Sequence, residues 1–462
     1  MALSLSRSRR VGWTALSCLL LAVEAVYAST SYKDEERLGA TFDMEARKVL
    51  PLSGDTDIKA YVERIGRKIV ASLGSQPFTY HFAVVKDPRI NAFAVPGGYV
   101  YIHTGLLAAA STDEEVAGVL AHEIAHVNAH HLVRQQEATK LLNYATLLGV
   151  LLSVVHPAVG AGAATVNSAV QLQYRREFEQ EADYLGATYM RQAGYDPGGM
   201  LDFFKKMLDE QRLGPATPPP YLLSHPLTDT RLTNLEAVLR RHQWEPHARP
   251  PTSLDLARVQ LLAQSTAGGP TELVRTYWQQ ASERPDDARA RYLLGLAHLE
   301  TGAFDAARES FERLPQQSGL DASRELGRTW LRLGQPEKAR PLLSRAAEVN
   351  PDDPLAHYEL ARAYEMLKDN DGATREYKRA IELAPSFEEA HYNLGMLAGR
   401  AGRLGEGFYH LALALKLRGD YDKALHQLKK AEPLFPAGSQ RAEAIGADIA
   451  ELSRYLKHGH LW

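Results

Sequence analysis

His122 and His126 stand four residues apart with Glu123 between them, in the run His122-Glu123-Ile124-Ala125-His126. In an α-helix four residues turn about 400° and rise about 6 Å, so both imidazoles leave one face. Two neutral imidazoles held this way suit Zn2+. Glu123, beside them, is placed to take a proton from a water that the metal holds. A hydrolytic zinc needs a third protein ligand and an open position. A continuation of His126 as x-x-Gly-x-x-His would supply that ligand, but Ala129 and Leu132 fill those places. His130 lies a turn further along the same helix, leading away from the site, and reads as a surface or core-edge histidine. The remaining source is Arg175-Arg176-Glu177-Phe178-Glu179-Gln180-Glu181-Ala182-Asp183-Tyr184-Leu185-Gly186, which reads as a second helix. Glu179 and Asp183 share a face there at i and i+4. One carboxylate would bind the metal while Asp183 fixes a ligand histidine or serves in proton transfer. Spacing alone leaves Glu177, Glu179 and Glu181 nearly level.

The elements that must carry these residues are legible in outline. Thr112 and Glu115 form a capping box, and Val116, Val119, Leu120, Ile124 and Val127 supply helical apolar spacing behind it. Lys59 to Leu73 reads as a helix. Residues 79–85 and 99–102 read as strands, the second following a Pro96-Gly97-Gly98 turn. The segment from Asn91 to Tyr101 is either an ordinary hairpin or an open sheet edge that could hold substrate as an added strand. Residues 141–174 contain no Asp, Glu, Lys or Arg. Such a segment lies beside or over an active-site cleft, or makes peripheral contact with a membrane. Residues 29–245 therefore read as one α+β domain, mostly helical with a small sheet. A proline-rich loop runs from Pro215 to Pro220, and residues 246–253 form a linker.

Residues 254–462 are different in kind. Gly295, Ala307 and Leu314 recur as Gly327, Ala339 and Ala346, closed by Pro351; Leu360, Tyr364, Ala373, Tyr377, Ala380 and Pro385 follow. Gly395 and Gly407 come next, then Gly419, Tyr421, Ala424, Ala431 and Pro436. Ala339, Ala373 and Gly407 are each 34 residues apart. That period, with small residues where helices cross, predicts an all-α tetratricopeptide-repeat solenoid. Arrays of this kind offer surfaces to extended peptides and partner proteins.

The chain has 462 residues, enough for two cores, and a net charge of -3 with no long basic run, which argues against nucleic acid. Arg7, Arg9 and Arg10 precede an apolar stretch from Val11 to about Val26, and Val26-Tyr27-Ala28 fits a signal-peptidase site. Cleavage is expected after Ala28; Glu24 and the shortness of the run weigh against a membrane anchor. The one cysteine, Cys18, falls in this leader, and Ala15 stands where a lipoprotein would need an aliphatic residue. The mature chain would have no disulfide, which fits a bacterial periplasm.

His-Glu-x-x-His followed by Glu179-Gln180-Glu181-Ala182-Asp183 resembles peptidase family M48. Asn91-Ala92-Phe93-Ala94-Val95-Pro96-Gly97-Gly98, Ser224-His225-Pro226 and Arg231 match the same family, and the resemblance covers about residues 33–240. With the leader and the repeats, the chain is similar to the group of periplasmic beta-barrel assembly-enhancing proteases. The resemblance implies a zincin-like metallopeptidase domain holding one Zn2+. It implies His122, His126 and Glu179 as ligands and Glu123 as the base. Asp183 would be a proton donor or would support a ligand. His225 would approach the zinc to hold the enzyme latent or stabilise the transition state, accompanied by Arg231. By its residues alone His225 reads rather as a loop histidine capping a turn before Pro226. The function implied is a periplasmic endopeptidase that degrades misassembled envelope or outer-membrane proteins, with the repeats engaging the envelope assembly machinery. The alternative is a chaperone or adaptor acting through the repeats.

Overall fold

Strand β3 (Tyr99–His103) lies in the middle of a three-stranded sheet, between β1 (His81–Val85), which runs parallel to it, and β2 (Ala92–Val95), which runs antiparallel. The computed structural model describes residues 32–139, 176–213, 218–244, 252–265, 269–315 and 318–458. The leader, the uncharged segment 141–174, residues 215–217 of the proline-rich loop and residues 246–251 of the linker lie outside the described residues. The β2–β3 connection is the expected turn. Gly97 and Gly98 take φ of +81° and +92°, and a Cβ at Gly97 would sit 2.6 Å from the Glu35 carbonyl oxygen. Only glycine fits both demands.

Around the sheet lie α1 (Tyr32–Val49), α2 (Thr56–Ala71), α3 (Thr104–Ala109), α4 (Asp113–Asn128) and α5 (His131–Thr139). Then come α6 (Arg176–Gln192), α7 (Gly198–Leu213), α8 (Pro220–Ser224) and α9 (Asp229–Arg241). Helix α4 is buried on every side from Glu115 to Val127, which is why its apolar residues form no narrow stripe. Gly118 lets α7 come so close that an added Cβ would stand 2.6 Å from Met200 Cα. Gly186 does the same for α6, with a Cβ position 3.1 Å from the His122 backbone nitrogen.

Strand β2 is an edge strand of the sheet. All four of its residues are buried, and Phe93 and Val95 share an apolar cluster with Leu132 of α5.

The second half is helical throughout its described residues, from α10 (Leu254–Ser265) and α11 (Pro270–Glu283) to the last helix, α21 (Gln440–His458). Between them run the pairs α12 (Ala288–Glu300) with α13 (Phe304–Glu312), α14 (Ser323–Arg332) with α15 (Pro336–Val349) and α16 (Pro354–Met366) with α17 (Asn370–Leu383). The pair α18 (Glu388–Arg400) with α19 (Leu404–Arg418) and then α20 (Tyr421–Ala431) follow. The small residues mark the crossings: a Cβ on Gly395 would be 3.0 Å from the Gly407 carbonyl oxygen, and one on Gly327 would be 2.6 Å from Leu343 Cγ.

The two halves share their interior. One apolar core runs from Ile58 and Ile65 through Val119 and Ile124 to Leu256, Leu262, Tyr292 and Phe311, and Met44 of α1 joins Tyr421, Leu428 and Leu452. Polar contacts reinforce this. Arg324 reaches Asp57 at 2.8 Å and Asp353 at 2.9 Å, Lys59 donates to the Ser386 carbonyl at 2.6 Å, and Arg47 donates to that of Leu417 at 3.2 Å. No helix among the described residues is long and apolar enough to cross a membrane.

Candidate metal centre

The N-terminus of α4 sets the depth of the His-Glu-x-x-His turn. Thr112 Oγ1 accepts from the Glu115 amide at 3.2 Å, and Glu115 Oε2 accepts from the Ser111 amide at 2.7 Å and from Lys206 Nζ at 2.5 Å. Two turns on, His122 and His126 point their Nε2 atoms at one another, 3.0 Å apart. The Glu179 carboxylate of α6 closes the group, with Oε2 3.6 Å from His122 Nε2 and Oε1 3.3 Å from His126 Nε2. His225, just past α8, brings Nδ1 to 3.0 Å from Glu179 Oε1. All four donors lie within 4.8 Å of one another, and each of these residues is at least 98% buried.

This donor set fits zinc. With bonds of about 2.0–2.1 Å, the edges of a tetrahedral site are about 3.3 Å long. The two Nε2 atoms stand 3.0 Å apart, and the Glu179 carboxylate meets them through its two oxygens at 3.6 and 3.3 Å, all near that value. Nitrogen and carboxylate donors are also the chemistry that Zn2+ takes. Glu123 adds a second sign. Neither of its buried carboxylate oxygens has a hydrogen bond among the described residues; His225 Nε2 stands 3.5 Å from Oε1. A buried carboxylate left unbonded costs a kcal/mol or more, roughly, so this one waits for a water or a substrate group.

Helix α6 places its three glutamates in three different surroundings. Glu177 faces outward; Glu179 enters the cluster; Glu181 turns to His131 Nε2 at 3.2 Å and to Arg134 at 3.0 Å. Asp183, a turn beyond Glu179, lies 3.1 Å from His122 Nδ1. Arg231 of α9 holds both acids, meeting Asp183 twice, at 2.8 and 2.7 Å, and Glu179 Oε2 at 2.6 Å. Burial would raise these carboxyls, but the Arg231 guanidinium and the facing histidines keep Glu179 and Asp183 below the usual carboxylate range. Burial would likewise lower His122, yet the hydrogen bonds to Asp183 and Glu179 lift it to about 9. Burial prevails at His126, which falls well below the usual range.

His130 does not extend helix α4, as its spacing suggested. The helix ends at Asn128, and His130 takes a left-handed φ of 53° and bonds Glu35 at 2.9 Å. That turn swings His131 back beneath the motif, where its Nδ1 lies 2.9 Å from His126 Nδ1. Sequence reasoning passed over His131. The doubled histidine at 130 and 131 was the available signal. His225 is drawn in by α8, whose last turn accepts its amide at the Tyr221 carbonyl, 2.9 Å away, while the two rings stack at 4.7 Å.

A model of peptidase family M48 matches residues 57–239, and a tetratricopeptide-repeat model matches 272–322 and 324–386. A Vibrio cholerae protein carrying the beta-barrel assembly-enhancing protease name is 33% identical over 309 residues, which span 64% of this chain and 63% of its own length. The beta-barrel assembly-enhancing protease of Yersinia pestis is 29% identical over 445 residues, 92% of this chain and 90% of its own. The mitochondrial metalloendopeptidase OMA1 of Schizosaccharomyces pombe is 29% identical over 190 residues, 41% of this chain and 53% of its own.

Proposed function

From the premise that this chain carries a family M48 metalloendopeptidase domain with tetratricopeptide repeats behind it, we propose that it is a zinc-dependent endopeptidase of the bacterial periplasm, which removes misassembled outer-membrane proteins. The observation that carries the chemistry is the cluster of His122 Nε2, His126 Nε2 and the Glu179 carboxylate at zinc-like separations, beside the unbonded carboxylate of Glu123. The cellular role draws on relatives named for beta-barrel assembly, similar over 90% of their own length in the Yersinia case. The compartment draws on the Val26-Tyr27-Ala28 leader.

His122, His126 and Glu179 would hold one Zn2+. When bound, it would supply the Lewis acidity that activates a water and polarises the scissile carbonyl. Glu123 takes the proton from the attacking water and delivers it to the leaving amine. Asp183, with both oxygens engaged by Arg231 and one facing His122, orients that ligand. His225 lies between Glu179 and Glu123 and stands where a substrate carbonyl must come. It holds the site latent in this arrangement and, once displaced, is within reach of the developing oxyanion.

The test is cleavage of an unfolded outer-membrane barrel by the purified chain. Glu123→Gln should keep its zinc and lose about 10²–10⁴-fold in rate. Undiminished cleavage would contradict the assignment. A Glu123→Gln strain with a fully intact envelope would instead favour a chaperone or adaptor role for the repeats.

A further inference from the structure

Each ligand histidine has a second ring nitrogen, and the two are satisfied in different ways. His122 Nδ1 faces Asp183 directly, and Arg231 holds that acid. His126 Nδ1 lies 2.9 Å from Nδ1 of His131, a ring buried completely and stacked on Phe178 at 4.7 Å with 12° between the planes. His131 Nε2 lies 3.2 Å from Glu181 Oε2, and Arg134 Nη1 lies 3.0 Å from the same oxygen. The Arg134 guanidinium also covers the Phe178 ring at 4.7 Å, so one aromatic floor carries both His131 and Arg134.

The direction of this chain of contacts follows from the first atom. A histidine whose Nε2 lone pair goes to a metal carries its proton on Nδ1. Buried, that N–H requires an acceptor, since an unmet donor costs about 1–3 kcal/mol. His131 Nδ1 stands 2.9 Å away, and facing that N–H it must accept, so His131 is unprotonated there and carries its proton on Nε2. The Glu181 carboxylate lies 3.2 Å from His131 Nε2, at ion-pair distance, and Arg134 keeps it in place.

We propose that His131 is a positioning residue for the metal: it accepts the Nδ1 proton of His126 and hands the charge demand on to the Glu181–Arg134 pair at the surface. This inference rests on the zinc reading and deepens it. The two ligand histidines then have matched support, an acid and an arginine each, with a neutral imidazole spliced into the second line. His131 fixes the ring plane of His126 and makes its Nε2 a better donor, as hydrogen bonds to the free nitrogen of a ligand histidine do.

The test measures zinc affinity by chelator competition on the purified full chain, together with the visible spectrum of its cobalt(II) form. His131→Phe keeps the stack on Phe178 and removes the acceptor; it should bind zinc about 10–100-fold more weakly and shift the cobalt bands. His131→Asn places an oxygen where Nδ1 stood and should recover most of the affinity and the parental spectrum. Glu181→Ala, at a side chain 39% exposed, should give a smaller loss in the same direction. Wild-type affinity and spectrum in His131→Phe would overturn the proposal; if that variant does not fold, unchanged affinity in Glu181→Ala does so. A parent chain that takes up no zinc would overturn both this proposal and the metallopeptidase reading. A loss confined to the variants leaves that reading intact.

Discussion

Arg231 is the residue on which the charge balance of the site turns. It is 97% buried and faces two acids, so Glu179 and Asp183 stay ionised in a place where burial alone would protonate them. An ionised Glu179 can serve as a ligand and an ionised Asp183 can orient His122. A second buried group shows the opposite outcome. His103, fully buried at the end of β3, is pushed down to about 4 by burial, which the Asp87 carboxylate at 3.8 Å only partly offsets. Its folded value lies below the unfolded value of 6.5, so the unfolded chain binds more protons between the two. The contribution is therefore full above pH 6.5 and is lost as pH falls toward 4. From pH 7 to 5 that loss is on the order of 2 kcal/mol. In metal-free protein, urea midpoints at pH 7 and 5 should differ less for His103→Phe than for the parent. Equal slopes would show that His103 does not titrate on unfolding.

At the scale of the element, the site depends on how closely α6 and α7 approach α4. Alanine at position 118 would gain about 1 kcal/mol of helix propensity. The overlap of its Cβ with the Met200 backbone, at 2.6 Å, costs more, since overpacking a tight core costs about 1–3 kcal/mol and backbone cannot rotate away. Gly118→Ala should therefore lower the melting temperature; a rise would mean that α7 yields freely. This close packing also explains which parts of the site were legible in the sequence. His122, Glu123 and His126 share one helix, and helical periodicity alone fixes their common face. Glu179 is chosen over Glu177 and Glu181 only by the crossing of α6 over α4, which Gly186 permits and no spacing within α6 encodes. His131 escaped notice because its position depends on one left-handed residue, His130, where the pattern of α4 would simply have continued.

At the scale of the molecule, the 34-residue period made the repeats legible, whereas their union with the peptidase half rests on contacts some 300 residues apart that no local pattern announces. Asp57 at the start of α2 sits between Arg324 at 2.8 Å and Arg258 at 3.7 Å, and Arg324 goes on to Glu325 and Asp353. The arginines outweigh burial and hold the Asp57 carboxyl below its usual range. Removing one partner of a buried ion cluster costs roughly 3–5 kcal/mol, because the remaining charges stay buried. Asp57→Ala should lower the first calorimetric transition and separate it from a second, where the parent unfolds in one. A single unshifted transition would show that the shared apolar core alone joins the halves. The repeats thus help to hold the first half of the chain in place.

The central claim is that His122, His126 and Glu179 form one zinc site. Its most direct test is the metal content of the purified chain, parent against Glu179→Ala, after dialysis against a weak chelator. The account predicts one zinc per parent chain and a large loss in the variant; full zinc occupancy in Glu179→Ala would contradict it.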